Sequence, residues 1–193
     1  MGIEYELKFR ADAAAQQQIL AQTAGTDMHF AMQTTYYDTP TGQLSARHYT
    51  LRRRMENDVS VCTLKAPEKD AGRGEWEVAC GAIETAIPML CKLGAPADLP
   101  DLVHEGLVAV CGARFDRIAR TIQLEDCVLE LAIDRGILTG GGKEIPLCEV
   151  EVELKEGSRA ACNRYALALA TRFGLTPESK SKFRRALALY QGE

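Results

Sequence analysis

The chain lacks the markers of several large protein classes. No apolar run approaches the roughly 18 residues that a membrane-spanning helix needs, and the opening MGIEYELKFR has no apolar stretch of the kind a secretory signal carries. Seven cysteines are scattered at positions 62, 80, 91, 111, 127, 148 and 162 without a C-x-x-C pair, which excludes a zinc ribbon and a paired disulfide framework. Reduced thiols in a cytoplasmic protein are the expectation. The three histidines, 29, 48 and 104, have no ligand spacing. An excess of one charge is missing too: the net charge of −4 over 193 residues gives no global attraction to nucleic acid or to an anionic membrane. If the protein binds an anion, the positive charge is local. Repeats, low-complexity tracts and linkers are absent, so one domain over residues 1–193 is expected.

What the chain does have is two-residue alternation, the mark of strands with two chemically different faces. Ile3, Tyr5, Leu7 and Phe9 alternate with Glu4, Glu6, Lys8 and Arg10. Cys148, Val150, Val152 and Leu154 alternate with Glu149, Glu151, Glu153 and Lys155. Similar patterns run through Leu51–Arg54, Glu75–Val78, Arg117–Leu124 and Leu129–Asp134. Turn chemistry separates them: residues 38–42, Glu56-Asn57-Asp58, Asp70-Ala71-Gly72 and Gly140-Gly141-Gly142. The last of these, followed by Lys143, lacks the GxxxxGK spacing of a phosphate loop and reads as a hairpin tip. Helices are expected at Ala11–Ala24, where Asp12 is the N-cap, and at Ile83–Leu93, Asp101–Val110, Arg159–Phe173 and Ser179–Tyr190.

The plain reading of such strands is an antiparallel sheet with one face in the core and one in water. Two features oppose it. Glutamate is depleted in strands and same-face carboxylates repel, yet Glu4/Glu6, Glu75/Glu77 and Glu149/Glu151/Glu153 repeat that arrangement. Arg52 and Arg54 do the same with positive charge. The alternative is an α+β fold in which about eight antiparallel strands close into a β-barrel. Its lumen is charged and its apolar outer face is covered by flanking helices. Clustered carboxylates suit Mg²⁺ or Mn²⁺, and clustered Arg and Lys suit phosphates. Both together are what polyphosphate chemistry requires.

These residues resemble the signature of the CYTH superfamily, the triphosphate tunnel metalloenzymes. Glu4-x-Glu6-x-Lys8 is similar to its ExExK. Tyr36-Tyr37-Asp38-Thr39, Leu51-Arg52-Arg53-Arg54, Thr63-Leu64-Lys65 and Arg73-Gly74-Glu75-Trp76-Glu77 are similar to its YYDT, LRxR, TxK and RxExE segments. Arg114–Arg117, Asp134-Arg135-Gly136, the acidic strand 148–157 and Ser181-Lys182-x-x-Arg185 complete the series. The resemblance spans nearly the whole chain and is greatest to the bacterial inorganic triphosphatases.

It implies an eight-stranded triphosphate tunnel. Metal binding would fall to Glu4, Glu6, Glu149, Glu151 and Asp134, with Glu130 a further candidate. Triphosphate binding would fall to Lys8, Arg52, Arg54, Lys65, Arg117 and Lys182, with Arg185 as a buttress. Glu75, Glu77, Glu130 and Glu153 would support these bases. Parity sends Arg53 and Arg114 away from the lumen and Trp76 to the apolar face. The implied reaction is hydrolysis of inorganic triphosphate, with Glu6, Lys8 and Glu151 as catalytic residues and Lys8 as a base if neighbouring cations depress its pKa. Few aromatic groups belong to the lumen in this reading, which favours a bare triphosphate over ATP in an adenylyl cyclase or thiamine triphosphate. A non-catalytic polyphosphate- or nucleotide-binding module is the other reading.

Overall fold

The computed structural model describes residues 5–67 and 73–193. Glu4 and the turn at Asp70-Ala71-Gly72 therefore lie outside the described residues. The strands are β1 (Glu6–Arg10), β2 (Met28–Asp38), β3 (Thr50–Glu56), β4 (Val59–Pro67), β5 (Arg73–Ala79), β6 (Val108–Gln123), β7 (Cys127–Gly140), β8 (Lys143–Gly157) and the two-residue β9 (Thr176–Pro177). The helices are α1 (Ala13–Gln22), α2 (Gln43–Ala46), α3 (Ile83–Lys92), α4 (Leu99–Leu102), α5 (Arg159–Phe173) and α6 (Lys182–Gln191).

All nine strands form one sheet, in the order β5-β4-β3-β2-β6-β7-β8-β1-β9, with every pair antiparallel. This corrects the expected closed barrel of eight strands: among the described residues the ladder does not return from β5 to β1. The free edge of β1 is already taken. Phe9 and Arg10 pair with Pro177 and Thr176, and the Glu178 amide donates to the Lys8 carbonyl at 2.9 Å. The returning C-terminal segment thus occupies the edge that closure would need. The sheet still curls, because side chains from β1, β3, β4, β6 and β8 line one cavity.

Two apolar layers lie outside the sheet, as alternation predicts. Phe9, Leu129, Leu131, Ile133, Val150 and Val152 pack beneath Ile19 of α1 and Ala166 and Leu169 of α5. Leu51, Cys62, Leu64 and Trp76 pack beneath Ile83, Ala86, Ile87 and Leu90 of α3. The long helices begin and end where local chemistry dictates. Asp12, Ser158 and Ser181 accept first-turn amides, and Gly174 and Gly192 end α5 and α6 in left-handed conformations. The expected helix at Asp101–Val110 is corrected to a single turn, Leu99–Leu102. Pro100 starts it, Gly106 breaks the chain at φ 100°, and β6 begins at Val108.

A third apolar layer lies inside. Met32, Ala113, Phe115, Leu138 and Leu147 share the inner face of the sheet and are covered by Phe183 and Ala186 of α6. This corrects the expectation of a uniformly charged lumen with every helix outside. One end of the inner face is apolar, and α6 plugs it. The plug sits close: a methyl group on Gly140 would come within 2.3 Å of the Ala186 carbonyl oxygen.

Candidate active site

The cavity at the other end of the inner face measures about 110 Å³. Seven cationic side chains line it: Lys8, Arg52, Arg54, Lys65, Arg73, Arg117 and Lys182. Three carboxylates join them, Glu6, Glu151 and Glu153, together with Tyr36, Thr50, Ser181 and Phe183. Alternation is what brings them together. Thr50, Arg52 and Arg54 share one face of β3, while Glu6 and Lys8 of β1 stand opposite Glu153 and Glu151 of β8. Arg73, Thr50 and Tyr36 were not among the residues assigned from sequence. Their positions at even spacing from Glu75, Arg52 and Thr34 on their strands are the signal that finds them.

Beneath the cavity lies a dry ion cluster. The Lys182 ammonium, 8% exposed, reaches Asp134 at 2.8 Å and both Glu149 and Glu151 at 2.6 Å. Arg117 forks onto Asp134 at 2.7 and 2.8 Å and donates to Glu151 at 2.5 Å. Arg185 donates to Glu149 from the far side. Three buried carboxylates thus meet three cations, the condition under which such a cluster is tolerable. Burial pushes the Glu151 carboxyl up, but the Lys182 and Arg117 charges overcome it and hold the group well below its ordinary value. Burial likewise disfavours the Lys182 charge, and the three carboxylates reverse this and raise its pKa.

On the opposite wall the pairing is looser. Arg52 reaches Glu75 at 3.6 Å, and its Nε is buried without a hydrogen-bond partner among the described residues. Arg54 donates to the Thr34 hydroxyl at 3.1 Å and lies 3.6 Å from Glu56. Burial, and then the adjacent Arg52 charge, push the Arg54 guanidinium below its ordinary pKa. Lys65 lies 3.4 Å from Glu75, and Glu77 accepts from the Thr63 hydroxyl at 3.1 Å. Glu130 lies 3.8 Å from Lys155, at the far end of the acidic strands.

Several expected roles meet a different geometry. Asp134 and Glu149, two of the expected metal ligands, lie under Lys182 and do not reach the cavity. Asp134, Glu149 and Glu151 present oxygens within 4.8 Å of one another, so the trio could hold an ion in principle, but Lys182 stands on all three. The carboxylates that face the cavity are Glu6, Glu151 and Glu153. Their hard oxygen donors fit Mg²⁺ or Mn²⁺. Lys8 has a carboxylate at its side, Glu6 at 3.1 Å, and Glu151 is its partner across the ladder. Arg53 and Arg114 lie outside the cavity, bonded to Ser60 at 3.1 Å and to Glu144 at 3.0 Å. The lumen does hold two aromatic rings, Tyr36 and Phe183, with centroids 5.0 Å apart. They are buried against each other as part of the plug and offer little free face for stacking.

A curled, open sheet thus presents clustered bases and carboxylates on its inner face. The model of the CYTH domain matches residues 2–187, and the chain belongs to that family. An inorganic triphosphatase of Haemophilus influenzae is 29% identical over 128 residues, which is 64% of this chain and 36% of that protein's length. A Hippeastrum protein, described as an adenylyl cyclase candidate with a dominant triphosphatase activity, superposes with a TM-score of 0.65 at 18% identity, over 98% of this chain and 95% of that one. The PH1819 protein of Pyrococcus horikoshii OT3 superposes with a TM-score of 0.62, also at 18% identity, over 97% and 99%. The two structural likenesses show the fold, and the chain spans about a third of the length of the Haemophilus protein.

Proposed function

We propose that this protein hydrolyses inorganic triphosphate to pyrophosphate and phosphate with the help of Mg²⁺ or Mn²⁺. The observation that carries this reading is the cavity wall, seven cations and three carboxylates around about 110 Å³. That volume is below the roughly 300–1,000 Å³ typical of sites for organic ligands. A bare polyanion suits it better than one bearing a base or a thiazolium ring.

Lys182 and Arg117 face the cavity but share their charge with Asp134 and Glu151. Arg52 and Arg54, 3.6 Å from Glu75 and Glu56, therefore take most of the phosphate charge, and their guanidinium groups can grip pairs of phosphate oxygens. Lys8 stands between the two walls and contacts the chain from the acidic side. Glu6, Glu151 and Glu153 would hold the divalent ion, which when bound screens phosphate charge and orients water for attack. The bases on β3, β4 and β5 stabilise charge that develops on the departing pyrophosphate. Binding along the wall of cations fixes the terminal phosphorus near the carboxylates, so positioning supplies much of the rate.

The test is phosphate release at about pH 8–9, with Mg²⁺ or Mn²⁺ and with tripolyphosphate, thiamine triphosphate and ATP compared side by side. Preferential turnover of tripolyphosphate is the expected result. Preference for an organic triphosphate would overturn the substrate assignment and keep the tunnel. Binding without turnover, and without cyclic AMP from ATP, would make the protein a polyphosphate-binding module.

A further inference from the structure

Glu178 is a buried carboxylate that none of the roles above uses. Its side chain is 2% exposed, and it sits where the first and last parts of the chain meet, between β9 and α6. One oxygen accepts from Arg10 Nε at 2.6 Å and lies 3.5 Å from Arg185 Nη1. The other accepts the Lys180 amide at 2.9 Å, which fixes the turn into α6. Its own amide donates to the Lys8 carbonyl at 2.9 Å.

Two of these contacts lead to a cavity-lining lysine. Through its backbone, Glu178 holds Lys8 on β1. Through Arg185, which also pairs with Glu149, it is linked to the carboxylates that hold Lys182. We infer that Glu178 is a positioning residue: it locks the N-terminal end of α6 against β1, so that Lys8 and Lys182 approach the same triphosphate from two elements more than 170 residues apart in sequence. Burial works against its charge, but the Lys180 amide and the two arginines overcome this and keep its pKa low, so the clamp is ionised at neutral pH. The inference rests on the triphosphatase reading, and it assigns a role to a residue that makes no contact with the cavity.

The surroundings of the clamp provide a specific test. A cavity of about 520 Å³ lies beside the clamp's two arginines, lined by Arg10, Arg185, Thr176 and Leu175 among others. It is roomy enough to admit a small carboxylate to the two guanidinium groups when the Glu178 side chain is removed. In Glu178→Ala, KM for tripolyphosphate should rise about tenfold with kcat changed by less than about threefold, because positioning of binding groups is lost and the reacting groups remain. Added acetate should restore much of the lost affinity in Glu178→Ala and do nothing for the wild type. Glu178→Gln, which keeps the shape and loses the charge, should show the same rise in KM without rescue.

An unchanged KM in both variants, or a loss that acetate leaves untouched in a folded Glu178→Ala, would overturn the inference. If Glu178→Ala does not fold, the KM of Glu178→Gln decides alone. Should the wild type not hydrolyse tripolyphosphate, the triphosphatase reading fails separately. Calorimetric titration of the same proteins with tripolyphosphate and Mg²⁺ then tests the clamp, and equal affinities would sink it.

Discussion

The two walls of the cavity are built from the same residue types and differ in how far they satisfy themselves. On the wall of β1, β6, β7, β8 and α6, Lys182 and Arg117 are bound to Asp134, Glu149 and Glu151 at 2.5–2.8 Å in a buried cluster. On the wall of β3 and β4, Arg52 and Arg54 find their nearest carboxylates among the described residues at 3.6 Å. Cations crowded in this way favour an incoming anion. The first wall organises the site, and the second is prepared for a ligand. Cation counts would not separate the two roles, whereas distances do.

The comparison breaks most clearly if an arginine of the open wall is removed. Arg52→Ala should lower kcat/KM for tripolyphosphate by about a hundredfold or more with little change in stability, since a charge-assisted contact to the transition state is lost. A loss in thermal stability with activity intact would reverse the assignment of the walls. Lys182→Met tests the closed wall, where stability should fall along with affinity for tripolyphosphate. It leaves three carboxylates facing two cations in a dry site and should cost about 3–5 kcal/mol in urea unfolding.

Acid should act on the closed wall as well. The folded pKa of Glu151 is depressed below its unfolded value of 4.5, so its stabilisation is complete above that value and is lost as pH falls toward the folded one. Lys182 is raised above 10.5, so its contribution is present at all lower pH and is lost only in strong base. The urea midpoint should therefore hold from about pH 8 to about pH 5 and fall below that. A decline already in progress at neutral pH would show that the cluster is not ionised as described. The smallest effect belongs to Arg53→Ala. The side chain faces outward onto Ser60, and both stability, within about 0.5 kcal/mol, and turnover should barely change.

Alternation made much of this legible from the residues alone. It put Arg52 and Arg54 together, turned Arg53 and Arg114 outward, and placed Trp76 in the layer under α3, where it is 5% exposed. It could not tell which carboxylates on one face of β8 meet solvent. Glu149, Glu151 and Glu153 have the same parity, yet Glu149 is sealed by α6 and Glu153 opens on the cavity. Depth along a lumen depends on which helix enters it, and the amphipathic pattern of α6 indicates an apolar side without naming the sheet face it covers. Closure was equally hidden. Thr176-Pro177 is too short to read as a strand, but it takes the edge of β1 that β5 would need.

The return of that short strand has a consequence for how the molecule folds. Glu178 and Lys8 are joined by a backbone hydrogen bond across 170 residues, and Lys182 reaches its carboxylates only once the segment before it has docked on β1. Contacts of such sequence separation carry a large loop-closure cost and form late. During synthesis the β3–β4–β5 wall and its helices can assemble while the rest of the chain is still emerging, whereas the second wall stays incomplete until β9 and α6, residues 176–191, dock on β1 and the inner face. Completion of the cavity should therefore wait for that segment.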